Sequence, residues 1–243
     1  MDPSTNWHYF SHPRVVLDYA RAACSVGLWA SEKLLCEKFF PKDAPLLELG
    51  CGAGRISFGL WTDGWHDITA TDFAEPMVDA ALAINETKQS GIKFAVADAT
   101  DLRYADESFQ SVIFGFNGFL MIPMPSRRLV ALREVYRVLK PGGVFIFTGH
   151  DRSVSRNIDY WAAERTRWDS GQQDPALDTF GDYNHLTESG RMFIHAADSA
   201  KIQAALESCG FQVELSAMRS ELTVESEAVL DFSDDTRFWV VRK

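Results

Sequence analysis

Three glycines at alternate positions close a short apolar run that carries one carboxylate: Leu46-Leu47-Glu48-Leu49-Gly50-Cys51-Gly52-Ala53-Gly54. Glycine lets the backbone come close to a ligand, because no Cβ intervenes and positive φ is allowed. Ile56-Ser57-Phe58-Gly59-Leu60-Trp61 follows with helical spacing. A helix N-terminus there presents unpaired N–H groups and a partial positive charge, which suits an anionic or carboxylate-bearing ligand. Asp72 ends a second short strand-like stretch. It stands about 20 residues past the glycines, the spacing at which a carboxylate accepts both hydroxyls of a ribose. The first candidate for a base working near neutral pH is His150, at the end of an apolar strand, followed by His185 and His195. Tyr183 is a candidate for orienting an acceptor. No pair among these three histidines has i,i+4 spacing, so no metal is expected.

The spacing discriminates between ligands. A dinucleotide fingerprint G-x-G-x-x-G counted from Gly50 would need glycine where Arg55 stands. The phosphate loop G-x-x-x-x-G-K-[ST] does not occur. The run E-x-G-x-G-x-G resembles the first motif of the class I methyltransferases that use S-adenosylmethionine. Three further segments resemble that family in order and spacing. They are the strand ending in Asp72, Ala97-Asp98-Ala99-Thr100-Asp101-Leu102, and Arg137-Val138-Leu139-Lys140-Pro141-Gly142-Gly143.

The resemblance covers roughly residues 44–150 and implies a set of cofactor contacts. Gly50, Cys51, Gly52 and Gly54 would pack on the methionine part, with Glu48 keeping the site polar and ordered. Asp72 would hold the ribose hydroxyls, and Phe73 and Met77 would line the adenosine pocket. Asp98 would accept from the adenine amine, and the Ala99 N–H would meet a ring nitrogen. Gly115, Phe116 and Asn117, at the end of the fourth strand, would lie beside the cofactor, with Asn117 near the transferred methyl. One departure is Gln110, where the family usually has Asp. The N-P-P-Y and Pro-Cys signatures of enzymes acting on adenine, glutamine or DNA cytosine are absent.

These residues need an α/β frame. The resemblance implies a Rossmann-like, mostly parallel seven-stranded sheet with helices on both faces and an antiparallel last strand. The chain reads as a single domain. Residues 1–43 form an N-terminal helical lid, with 1–12 irregular, helices over 13–40 broken near Gly27, and Tyr9, Tyr19 and Trp29 as lid candidates. Residues 44–150 form the cofactor-binding core, and 198–243 a C-terminal helix with hairpin strands. Residues 151–197 break the α/β rhythm, show few strand patterns and are rich in aromatics. They read as an insertion that covers the substrate.

Composition bounds the partners. The 243 residues are 46% hydrophobic and 24% charged with a net charge of −10, so a soluble globular protein without a broad nucleic-acid surface is expected. Cys24, Cys36, Cys51 and Cys209 form no CxxC pair and are expected as reduced thiols. The first residues lack a leader pattern and no run of 18 apolar residues occurs, so a cytoplasmic protein with no membrane span is expected. The expected activity is methylation of a small molecule at O, N or C. A nicotinamide-dependent oxidoreductase and a non-catalytic S-adenosylmethionine-binding protein are the alternatives.

Overall fold

The computed structural model describes residues 4–154 and 158–243. Three helices come first: α1 Ser4–Phe10, α2 Pro13–Ser25 and α3 Ala30–Phe39. Pro13 starts α2, where its fixed φ fits and its missing N–H costs nothing. The alternating core then runs β1 Leu46–Leu49, α4 Arg55–Thr62, β2 Ile68–Asp72, α5 Glu75–Lys88, β3 Lys93–Val96, β4 Phe109–Phe114, α6 Pro125–Val138 and β5 Leu139–Gly149. After it come α7 Ile158–Asp169, the hairpin β6 Asp182–Thr187 with β7 Gly190–His195, α8 Ser199–Ser208, β8 Gln212–Met218, the short helices α9 Arg219–Leu222 and α10 Glu227–Phe232, and β9 Arg237–Arg242.

The main sheet has seven strands in the order β3-β2-β1-β4-β5-β9-β8. Pairing is parallel from β3 to β5, and β9 runs antiparallel to both of its neighbours. Successive side chains of a strand point to opposite faces, and β5 shows it. Phe145 and Phe147 enter one core with Leu132 and Val135 of α6 and Leu206 of α8. Val144 and Ile146 enter the other with Leu35 of α3 and Phe58 and Leu60 of α4. Both faces are buried, which is why β4 and β5 read as nearly continuous apolar runs.

Two expectations are corrected. Residues 4–10 are helical, not irregular. Residues 182–195 form a two-stranded sheet of their own. Its strands alternate weakly because both faces are exposed toward the turn, at His185 and at Leu186, so no apolar period of two marks them. All four cysteines are free thiols. Among the described residues, no helix is long and apolar enough to cross a membrane.

Candidate active site

A cavity of about 390 Å³ opens at the C-terminal ends of β1, β2 and β4. The sheet order reverses between β1 and β4, and open α/β sheets bind ligands at that switch point. The volume lies within the usual range for small-molecule sites, roughly 300–1,000 Å³.

The glycine loop forms one wall. Gly50 and Gly52 have φ of +60° and +52°. A Cβ on Gly50 would sit 2.5 Å from the Phe114 ring, and one on Gly52 would sit 3.0 Å from the Tyr19 ring. Any larger residue would strain the backbone and push those rings. Asp72 fixes the loop from below. Its Oδ2 accepts from the Gly52 N–H at 2.8 Å and its Oδ1 from the Ala74 N–H at 2.9 Å. Burial pushes Asp72 up to about 6, with these backbone donors opposing the rise.

Glu48 is buried in β1 and accepts from the Ser57 hydroxyl. Burial pushes its carboxyl up to about 8, so it holds its proton at neutral pH. A folded-state value above the unfolded one means that the native state binds the extra proton. Stability from this group is therefore full below about pH 4.5 and falls as pH rises toward 8. Glu48→Gln is expected to flatten the decline of unfolding free energy between about pH 5 and 8, as read by urea denaturation at several pH values. An unchanged slope in that window would show the group to be ionised in the native protein.

Arg55, the first residue of α4, anchors the loop from the other end. Its guanidinium makes a two-pronged ion pair with Glu32 of α3 at 2.7 and 2.6 Å, and donates to the Gly27 carbonyl at 2.7 Å. It also lies 4.6 Å over the Trp29 ring, with Arg219 at 5.0 Å from the same ring.

The opposite wall is aromatic. Beyond β4, Phe116 and Asn117 both take positive φ, +46° and +62°, and the Asn117 N–H donates to Thr148 Oγ1 at 2.9 Å. The Phe116 ring stacks on Phe232 at 4.9 Å and meets Tyr19 and Trp29 edge-on at 5.9 and 5.8 Å. Ser4, Asn6, Trp7 and Phe10 of α1, Met121 and Ile122 of the 3-10 turn region, and Phe232 of α10 add to the lining.

The structure gathers Glu48, Gly50, Cys51, Gly52, Asp72, Phe73, Asp98, Ala99, Gly115 and Phe116 around this cavity. Asp98 also accepts from the Thr100 N–H and hydroxyl at 2.8 Å and pairs with Arg127 at 2.8 Å. Other expected contacts lie elsewhere. Gly54 is not a lining residue; its missing Cβ makes room for Phe58, 2.7 Å from where it would stand. Met77 is buried with Phe10, Val15 and Ala74. Asn117 is buried, with its Nδ2 3.2 Å from His150 Nε2, so His150 stands behind Asn117 rather than on the cavity surface. Tyr183 packs edge-on to Trp161 at 5.9 Å, and burial pushes its hydroxyl up to about 12. His185 is exposed on β6, and His195 pairs with buried Asp182 at 2.7 Å. Trp29 is core, held between two guanidiniums, and no lid. Among the described residues, none from 151–197 lines the cavity.

Sequence reading missed the lining residues of α1, α10 and the turn after β4. The only signal was the density of aromatics in residues 7–10.

Comparisons with known proteins point the same way as this geometry. Residues 46–143 match the family model described as a methyltransferase domain. The fold aligns with a solved S-adenosylmethionine-dependent methyltransferase from Methanosarcina mazei. The TM-score is 0.69 at 19% identity, over 86% of this chain and 96% of that one. Residues 46–143 are thus similar to a methyltransferase domain, and the fold around them is that of a solved S-adenosylmethionine-dependent methyltransferase.

Among curated proteins similar to this chain is a demethylmenaquinone methyltransferase of Clavibacter sepedonicus. It is 37% identical over 101 residues, which are 40% of this chain and 38% of that one. Another is the eEF1A lysine and N-terminal methyltransferase homolog of Drosophila melanogaster, 30% identical over 127 residues, 49% of this chain and 19% of that one. The matches thus span less than half the length of either relative.

S-adenosylmethionine is the cofactor of the family, and the residues present fit it. The glycine cradle admits no side chains, and the buried Asp72 carboxylate and the Asp98 carboxylate both lie on the cavity wall.

Proposed function

We propose that this chain transfers a methyl group from S-adenosylmethionine to a small, largely apolar acceptor. One observation carries the reading. The cavity joins two kinds of surface, glycine backbone with the Asp72 and Asp98 carboxylates at the strand ends, and the uncharged side chains of Trp7, Phe10, Phe116, Met121 and Phe232.

In this reading Gly50 and Gly52 bring backbone toward the methionine part, Asp72 accepts from the ribose hydroxyls, and Asp98 with Ala99 meets the adenine. The bound cofactor supplies an electrophilic methyl on a sulfonium. The chain's own contribution is alignment and exclusion of water. Tyr19, Phe10 and Trp7 cover the glycine loop, and Phe116 sets the angle of approach. We assign no general base to His150, Tyr183, His185 or His195, because none of them lines the cavity. The relative named for demethylmenaquinone supports a small-molecule acceptor, and the Drosophila relative makes a protein lysine the competing one. We place the protein in the cytoplasm, in keeping with its free thiols.

S-adenosylhomocysteine is expected to raise the melting temperature, and NAD is not. A ligand that binds only the native state stabilises it by about 2.7 kcal/mol at 100 times its Kd. Labelled S-adenosylmethionine offered to a panel of phenols, quinols, amines and thiols, and separately to a cell protein extract, then separates the two acceptor classes. Stabilisation by NAD instead would overturn the cofactor. Label entering protein alone would overturn the small acceptor.

A further inference from the structure

We propose that Asn6 is a positioning residue that latches α1 over the cavity, a role that rests on reading the cavity as the cofactor site. Asn6 is 4% exposed. Its Nδ2 donates to the Met121 carbonyl at 2.7 Å and to the Phe193 carbonyl at 3.0 Å. Its Oδ1 accepts from the Phe193 N–H at 2.8 Å. Phe193 stands opposite Asn184 in the β6–β7 hairpin, yet both of its backbone groups bond Asn6. The carboxamide takes the place that the peptide group of a further strand would fill on the outer edge of β7. Among short side chains only asparagine carries donor and acceptor in one plane for this task.

The consequence reaches the cavity through helix geometry. Ser4, Trp7 and Phe10 lie three apart on α1, share one face and line the cavity, which Asn6 borders with the little surface it leaves exposed. Asn6 fixes that face to the 3-10 turn after β4, through Met121, and to the hairpin, through Phe193. The hairpin lines nothing itself, but acts on the site through this side chain. Lifting α1 leaves the N–H and C=O of Phe193, a residue 1% exposed, without these partners, which is costly for buried groups. The closed position is therefore held by hydrogen bonds that a ligand has to break to enter or leave.

The test measures S-adenosylhomocysteine release by stopped flow from wild type, Asn6→Ala and Asn6→Asp, together with amide exchange at Phe193. Asn6→Ala is expected to release the ligand at least about tenfold faster, equivalent to about 1.4 kcal/mol, with amide exchange in β4 and β5 unchanged. Asn6→Asp is expected to be worse than alanine despite its shape. It removes the donor and turns a carboxylate toward the Met121 and Phe193 carbonyl oxygens. In the wild type, S-adenosylhomocysteine is expected to slow exchange at Phe193, and this decides the matter even if neither variant folds.

Release from Asn6→Ala within about twofold of wild type, aspartate outperforming alanine, or exchange at Phe193 indifferent to ligand each overturns the latch. A wild type that binds no S-adenosylhomocysteine overturns the cofactor reading, and the latch with it. Tight binding with unaltered release overturns the latch alone.

Discussion

Replacing Glu32 with alanine is expected to lower the unfolding free energy by about 3–5 kcal/mol, the usual result of breaking a buried ion pair from one side. Glu32 has no exposed surface. It binds Arg55 with both oxygens and accepts from the Trp29 N–H at 2.9 Å. The alanine leaves a guanidinium 8% exposed with only the Gly27 carbonyl and the Trp29 face for partners. Glu225 still accepts from the Ala30 and Ser31 N–H groups, so the start of α3 is weakened rather than lost. Because Arg55 follows Gly54 directly, affinity for S-adenosylhomocysteine is expected to fall as well. Lys33→Ala, on the same helix as Glu32, removes a solvent-screened pair with Asp63 and serves as the control, with an expected loss far smaller than that of Glu32→Ala. Urea titrations of the two variants check the contrast, and similar losses would mean that burial gives the Glu32 pair no special weight.

Asp72→Ala carries the second large effect. It is expected to weaken S-adenosylhomocysteine binding by about 1–3 kcal/mol, the cost of leaving buried polar partners unmet. The structure adds a second loss that the ribose role alone does not require. The Gly52 and Ala74 N–H groups lose their acceptor, so the free protein is also destabilised. Calorimetry at a temperature where the variant is fully folded separates the two. A folded variant with wild-type affinity would falsify the ribose assignment, and a variant of unchanged stability would show that the loop holds itself.

What the sequence made legible follows from how local each signal is. The glycine loop, Asp72 and the strand–helix alternation from residue 46 to 149 are written in short stretches whose period or spacing suffices. The reversed β9 and the helix over residues 75–88 were legible for the same reason. Asp98 was placed correctly on the third strand's exit, but its pairing with Arg127 depends on a helix 29 residues away. Asn6 and Phe232 were invisible because a helix of seven residues and one of six give too few turns for a period. Their role arises only when distant segments meet. The catalytic reading of His150, Tyr183 and His185 relied on residue type, and type does not say which way a side chain leaves its strand. The hairpin of residues 182–195 escaped because exposed residues interrupt its alternation, and its hold on α1 escaped because it uses backbone groups, which carry no residue type at all.

The place of β9 in the sheet bears on how the protein is made. Residues 237–242 fill the gap between β5 and β8, so the β5 edge has no neighbour until some ninety residues after residue 149 have been synthesised. A nascent chain on the ribosome therefore carries an open edge next to Phe145 and Phe147 for most of its later elongation. Such edges template wrong pairings, and closure by a distant strand is slow. The Lys243 N–H and carbonyl, bonded to the Gly143 carbonyl and the Gly142 N–H, tie the far end of that strand down. Proteolytic nicking or a premature stop before residue 237 removes an interior strand rather than a dispensable tail, and the product is a substrate for chaperones rather than a shorter folded protein.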